Sequence, residues 1–121
     1  MKRTQALNTL IAFSLSFSLF VVSTATFAHT SDCAKKSGME KLRCERHVEM
    51  AKKCGPIKGD AHFVCDRAFL LANPISCKSL TDKALVACDA EQKAFKLCEP
   101  NLGRDFMKCV KTTTGESPMG H

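Results

Sequence analysis

Apolar and polar positions divide the chain into an apolar leader followed by segments with a helical period. Residues 1–28 open on Lys2-Arg3, carry no charge from Thr4 to Ala28, and close on Ser23-Thr24-Ala25-Thr26-Phe27-Ala28. That order is the order of a secretory signal peptide, with cleavage expected after Ala28 or, alternatively, after Ala25. Its most apolar part, Leu10 to Val22, is interrupted by Ser14, Ser16 and Ser18. It is shorter than the roughly 20 apolar residues a membrane span needs, so no span is expected after cleavage.

Beyond the leader the pattern predicts four helices. Ser37-Gly38-Met39-Glu40 has the form of a capping box, which starts a helix near Gly38. The stretch from Glu40 to Lys53 holds no Gly or Pro, so the helix runs to about Cys54, where Gly55-Pro56 stops it. Met39, Leu42, Val48, Met50 and Ala51 supply its apolar side. After Gly59-Asp60, the residues Ala61, Val64, Cys65, Ala68 and Ala72 recur at helical spacing, widened by Phe63, Phe69, Leu70 and Leu71, and predict a well-buried second helix. Asn73-Pro74-Ile75-Ser76 is a turn. Thr81-Asp82 starts a third helix that runs through Cys98, and Arg104 to Lys111 forms a shorter fourth. The polar residues 114–121, with Gly115, Pro118 and Gly120, are expected to be a flexible tail.

The cysteines divide this pattern evenly. They stand at Cys33, Cys44, Cys54, Cys65, Cys77, Cys88, Cys98 and Cys109, which is two copies of C-x10-C-x9-C-x10-C offset by 44 residues. The same offset places Lys52 over Lys96, Pro56 over Pro100 and Gly59 over Gly103, with Ser37 over Thr81 and Glu45 over Asp89. The chain after the leader is therefore read as one cysteine-rich domain over 29–113, made of two repeats, 32–72 and 76–113.

An even number of cysteines in an exported chain is a disulfide framework and implies an oxidising compartment, periplasmic or secreted. Bonded cysteines need Cα atoms within about 7 Å, whereas ten residues of one helix span about 15 Å. Cys44 and Cys54 on one helix therefore cannot bond. The favoured set joins Cys33 to Cys44, Cys54 to Cys65, Cys77 to Cys88 and Cys98 to Cys109. The rival is a twin-cysteine hairpin that joins Cys33 to Cys65 and Cys44 to Cys54, which needs a turn between residues 45 and 53. The fold class expected either way is all-α, two tandem disulfide-stapled helical hairpins. With four Phe and no Trp after the leader, the bridges compensate for a thin core.

Charge changes this picture little. The formal net charge of +6 becomes +4 once Lys2 and Arg3 leave with the leader, and no basic cluster is interleaved with aromatics, so no nucleic-acid partner is expected. Lys35, Lys36, Lys41, Arg43, Arg46, Lys52 and Lys53 make the first hairpin basic, but Glu40, Glu45 and Glu49 interleave with them. This reads as a solvated helix face in preference to an anion-binding patch.

Candidate chemistry is sparse. Every interval between cysteines is nine residues or more, unlike the C-x2-4-C spacing of zinc sites, and there is no C-x-x-C redox motif. Cleavage after Ala28 leaves His29 at the N-terminus, where the amine and imidazole could chelate Cu(II). His47, His62 and His121, with Met50 and Met119, could extend such a site, although Met50 reads as core filler and His47 as a buried or partly buried side chain. No nucleophile, base and acid stand in a recognisable pattern and no G-x-S-x-G occurs, so no enzyme activity and no cofactor are expected.

Cys88-Asp89-Ala90-Glu91-Gln92-Lys93-Ala94-Phe95-Lys96-Leu97-Cys98, continued by Leu102-Gly103-Arg104-Asp105-Phe106-Met107-Lys108-Cys109-Val110-Lys111, resembles the cysteine-rich repeat of Golgi-apparatus glycoproteins and of some bacterial exported proteins. The likeness is a helix between two cysteines, then Gly-Arg and a third cysteine. It covers about a quarter of the chain after the leader, and it departs from the family, whose first interval is shorter and second longer. The resemblance implies a ligand- or protein-binding module with no inherited catalytic residues. The expectation is thus a small exported binding or structural module whose partner is an unidentified protein or envelope component. The alternatives are a periplasmic copper-binding protein and a secreted toxin or inhibitor.

Overall fold

The computed structural model describes residues 30–120. Five helices follow in order: α1 (Thr30–Cys33), α2 (Gly38–Cys54), α3 (Asp60–Ala72), α4 (Asp82–Cys98) and α5 (Gly103–Thr114). There is no strand among the described residues, and the architecture is all-α, with disulfide-stapled helical hairpins. Signals in the sequence fix these ends. Gly55 leaves α2 with its N–H bonded to the Ala51 carbonyl at 2.9 Å, and Ile57 N–H closes the next turn on the Cys54 carbonyl at 3.0 Å. At the same place in the second hairpin, Asn101 N–H bonds the Cys98 carbonyl at 2.9 Å. Both hairpin turns then need the left-handed region, which Gly59 at φ +67° and Gly103 at φ +52° enter without a Cβ to clash.

Three expectations about the helix surfaces are corrected. Ser37 sits at the N-cap with an extended backbone, but its side chain makes no capping bond, and Glu40 pairs with Lys36 at 2.6 Å in place of closing a capping box. On α2 the buried positions are Met39, Arg43, Arg46, Met50 and Cys54, while Ala51 is exposed and Leu42 and Val48 are half-buried. On α3 the small-residue stripe Ala61, Val64, Ala68 and Ala72 faces solvent, with Val64 56% exposed, and the buried positions are Asp66 and Leu70. The stripe of alanines buries little apolar area per residue, so the larger Leu70, backed by the half-buried Phe63 and Phe69, takes the inside.

The core lies where the hairpins meet. Met50, Cys54, Leu70, Ala94, Phe95, Cys98, Phe106 and Val110 form one buried cluster, with Phe95 and Phe106 tilted against each other at 5.6 Å between centroids. Helices α3 and α5 make the broadest contact between hairpins. Two arginines cross that contact: Arg104 lies 4.4 Å from the Phe63 ring centroid and Arg67 lies 5.7 Å from that of Phe106. Arg67 also donates to the carbonyls of Glu99 and Asn101, capping the free C-terminal carbonyl end of α4.

The C-terminal residues differ from expectation as well. Helix α5 runs to Thr114, three residues past the expected Lys111, and ends at Gly115 with φ +76°. Residues 114–120, expected as a flexible tail, turn back onto α2, with Pro118 buried and Met119 packed on the core. This placement follows from one ion pair and one hydrogen bond to α2 that no local pattern in the tail announces.

Candidate functional site

The four bridges are Cys33–Cys44, Cys54–Cys65, Cys77–Cys88 and Cys98–Cys109, with Cα atoms 5.5, 5.7, 5.7 and 5.8 Å apart. This is the favoured pairing, and the geometric reason holds, because α2 carries both Cys44 and Cys54 and α4 carries both Cys88 and Cys98. Each bridge therefore ties a helix to the segment before or after it. All eight cysteines are used, and no free thiol remains.

The chemistry inside this frame lies in two buried clusters that share the inner face of α2. Arg43, Arg46, His47 and Met50 recur there at steps of three, one and three residues, which places them on one side of a helix. The first cluster joins α2 to α4. Arg43 Nε donates to Glu91 Oε2 at 2.7 Å, and Arg46 Nη1 lies 2.8 Å from Glu91 Oε1, so one carboxylate bridges two guanidinium groups. The Arg46 guanidinium lies 5.5 Å from the Phe95 ring centroid. Two further contacts come from the C-terminal residues: Arg43 Nη1 pairs with Glu116, and Arg46 Nη2 donates to the Pro118 carbonyl at 3.0 Å. Burial alone pulls the Arg43 pKa down, but its hydrogen bonds to Glu116 and Glu91 carry it above the ordinary arginine value. Its charge is therefore permanent.

The sequence reading placed Arg43 and Arg46 on a solvated face, and this is corrected: they are 6% and 8% exposed. The other basic residues of that hairpin follow the expectation. Lys36–Glu40, Lys41–Glu45 and Lys52–Glu49 are exposed neighbours along the chain, at 2.6, 3.9 and 2.6 Å. Such pairs contribute little to stability.

The second cluster joins α2 to α3. His62 Nδ1 donates to the Cys54 carbonyl at 2.9 Å, and Nε2 lies 3.2 Å from Oδ2 of the buried Asp66. Because Nδ1 faces a carbonyl it must carry a proton, so the contact between Nε2 and Asp66 requires a second proton on one of the two groups. Burial pushes the Asp66 carboxyl above its ordinary pKa, and the nearby His62 and His47 partly offset this. His47 is half-buried, as expected.

These placements bear on the copper ligands considered from sequence. His29 and His121 lie outside the described residues. Met50 is 1% exposed in the core, Met119 packs beside that core, and both ring nitrogens of His62 are engaged by Cys54 and Asp66. No group of three or more His, Cys, Asp or Glu among the described residues could hold a metal ion. Sequence reasoning missed Glu91 and Glu116 altogether. The one signal for Glu91 was its place on α4 seven residues before Cys98, on the inward side with Ala94 and Phe95.

The four disulfides indicate an oxidising compartment. Among the described residues, no helix is long and apolar enough to cross a membrane. No family model, no curated protein and no solved structure matches the chain.

Proposed function

We propose that this protein is an exported, periplasmic or secreted binding module, built from two repeats over 32–72 and 76–113, that acts by holding another protein or envelope component and performs no catalysis. The observation that supports this reading is the use of the cysteines. All eight are oxidised into bridges, so none is a nucleophile or a thiolate ligand. What remains is a small scaffold cross-linked about once per helix. Its buried ionisable side chains Arg43, Arg46, Asp66 and Glu91 are each bonded within the chain.

Two measurements test it. Intact mass with thiol alkylation of the exported protein is expected to show no labelled cysteine before reduction and eight after, with an N-terminus at His29 or Thr26. A photo-cross-linking residue at Val86, 70% exposed on α4, is expected to give one discrete protein adduct in the compartment. Several free thiols in the exported protein, or saturable stoichiometric Cu(II) binding that depends on His29, would replace this reading with metal handling.

A further inference from the structure

The residues after α5 fold back against α2. Gly115 turns the chain, Glu116 reaches back to Arg43, Pro118 is buried with its carbonyl on Arg46, and Met119 packs on the core. At Gly120 the backbone comes so near α2 that a Cβ would stand 3.2 Å from the Cβ of Arg43. Residues 115–120 thus form a strap laid over the arginine pair.

Charge counting shows what the strap supplies. Beneath it stand two guanidinium groups and one buried carboxylate, that of Glu91, which leaves one positive charge to be met. Glu116 meets it. The Arg46 Nε, also buried, has no hydrogen-bond acceptor among the described residues. The arginine pair is held from below by α4 through Glu91 and Phe95, whereas the Glu116 side chain is 56% exposed and belongs to a segment of six residues. A buried site that requires an anion is therefore closed by a short segment whose own ion pair is open to water on one side.

We propose that Arg43 and Arg46 form a carboxylate-binding site for an acidic peptide segment of a partner protein, and that the strap occupies this site in the free protein. The proposal rests on the binding-module reading and names its site. The strap displays the chemistry the site takes: a glutamate carboxylate for Arg43 and, two residues later, the carbonyl of a proline for Arg46. A guanidinium fork suits a carboxylate by shape as well as by charge. The partner must displace the strap, so its apparent affinity falls by the fraction of molecules in which the strap is open.

The test uses the full oxidised chain, wild type and Glu116→Gln, titrated with the acetylated peptide Gly-Glu-Ser-Pro-Met-Gly-His and with the same peptide carrying Gln in place of Glu. Glu116→Gln weakens the competitor without touching the arginines. It is expected to bind the acidic peptide at least tenfold more tightly than wild type does, and the Gln peptide at least tenfold more weakly than the acidic one. Arginine side-chain resonances are expected to shift with the acidic peptide. Equal affinity for the two peptides would overturn the proposal, as would no binding by a Glu116→Gln chain that keeps its helical spectrum and four bridges. A dimer formed by strap exchange between copies, seen by light scattering, would overturn the assignment to a foreign peptide. If the peptides fail while the Val86 cross-link still forms, the site is wrong and the module reading stands. If both fail, both fall.

Discussion

Residues 33–72 and 77–114 have the same outline and different interiors. At an offset of 44 residues, α2 and α4 begin and end in register, Gly38 at φ +55° corresponds to Asp82 at φ +51°, and each disulfide has its counterpart. Inside that outline the correspondence breaks. His62 and Asp66 of the first half stand where the second has Phe106 and Val110, and His47 stands where the second has Glu91. The outline is set by short-range features, namely caps, turns and bridges, that tolerate almost any inward side chain. The interior is set by what each half meets across the contact. The first half therefore contributes most of the buried charge and the second the aromatic core.

The largest expected difference between corresponding positions is at residue 106. Phe106→Ala removes a fully buried ring and is expected to cost about 3 to 5 kcal/mol in denaturant unfolding, whereas His62→Ala at the matching position is expected to cost about 1 to 2. Equal losses would mean that both halves share one kind of core. Next comes Glu91→Gln, which leaves the buried Arg46 without a carboxylate and Arg43 with Glu116 alone, and is expected to cost about 3 kcal/mol. His47→Gln, at the corresponding position, is expected to cost far less in the same urea titration.

Bridge removal sharpens the likeness between halves. Each pair is 11 residues apart, so the chain-entropy model gives about 2 to 3 kcal/mol for any of the four. Cys54 and Cys98 are fully buried core members, and replacing Cys54–Cys65 or Cys98–Cys109 by alanines is expected to lower the melting temperature more than replacing Cys33–Cys44 or Cys77–Cys88.

Asp66 gives a pH signature that Val110 cannot. Its carboxyl is raised in the folded state, so the folded chain holds that proton more tightly than the unfolded one. Its contribution is complete below the ordinary aspartate range of about 4 and is lost as pH rises through the folded-state value. Relative to Asp66→Asn, wild type is expected to lose stability as pH rises above about 4, measured by urea unfolding at each pH. Wild type gaining stability over Asp66→Asn as pH rises would reverse the sign. The smallest effect is at the helix starts. Gly38→Ala puts a Cβ at φ +55° and 3.4 Å from Ala84 Cβ, which is expected to cost about 1 kcal/mol, while Asp82→Gly is expected to change the melting temperature less and upward.

Much of the outline was legible in the sequence because its causes are local. Gly55-Pro56, Glu99-Pro100 and the paired Gly59 and Gly103 mark the turns, and ten-residue spacing along a helix excludes a bond between Cys44 and Cys54. The candidate site was not legible. Arg43 and Arg46 sit among alternating Lys and Glu, and nothing within α2 distinguishes a guanidinium that turns inward from an ammonium that stays in water. Their carboxylate partners lie 48 and 73 residues from Arg43. A tail of Gly, Glu, Ser and Pro carries no apolar period, so its docking depends wholly on partners brought together by folding. The exposed alanine stripe on α3 shows the opposite failure, in which a clean helical period marks the wrong side.

Every bridge joins a cysteine to the next one along the chain. A chain oxidised in order of appearance, from its N-terminal end, therefore makes the native set directly. No bond has to wait for a distant residue, and none has to be broken and remade through a mixed disulfide before folding completes. A connectivity of this kind needs no reshuffling step, so a supply of oxidant is all that its topology demands.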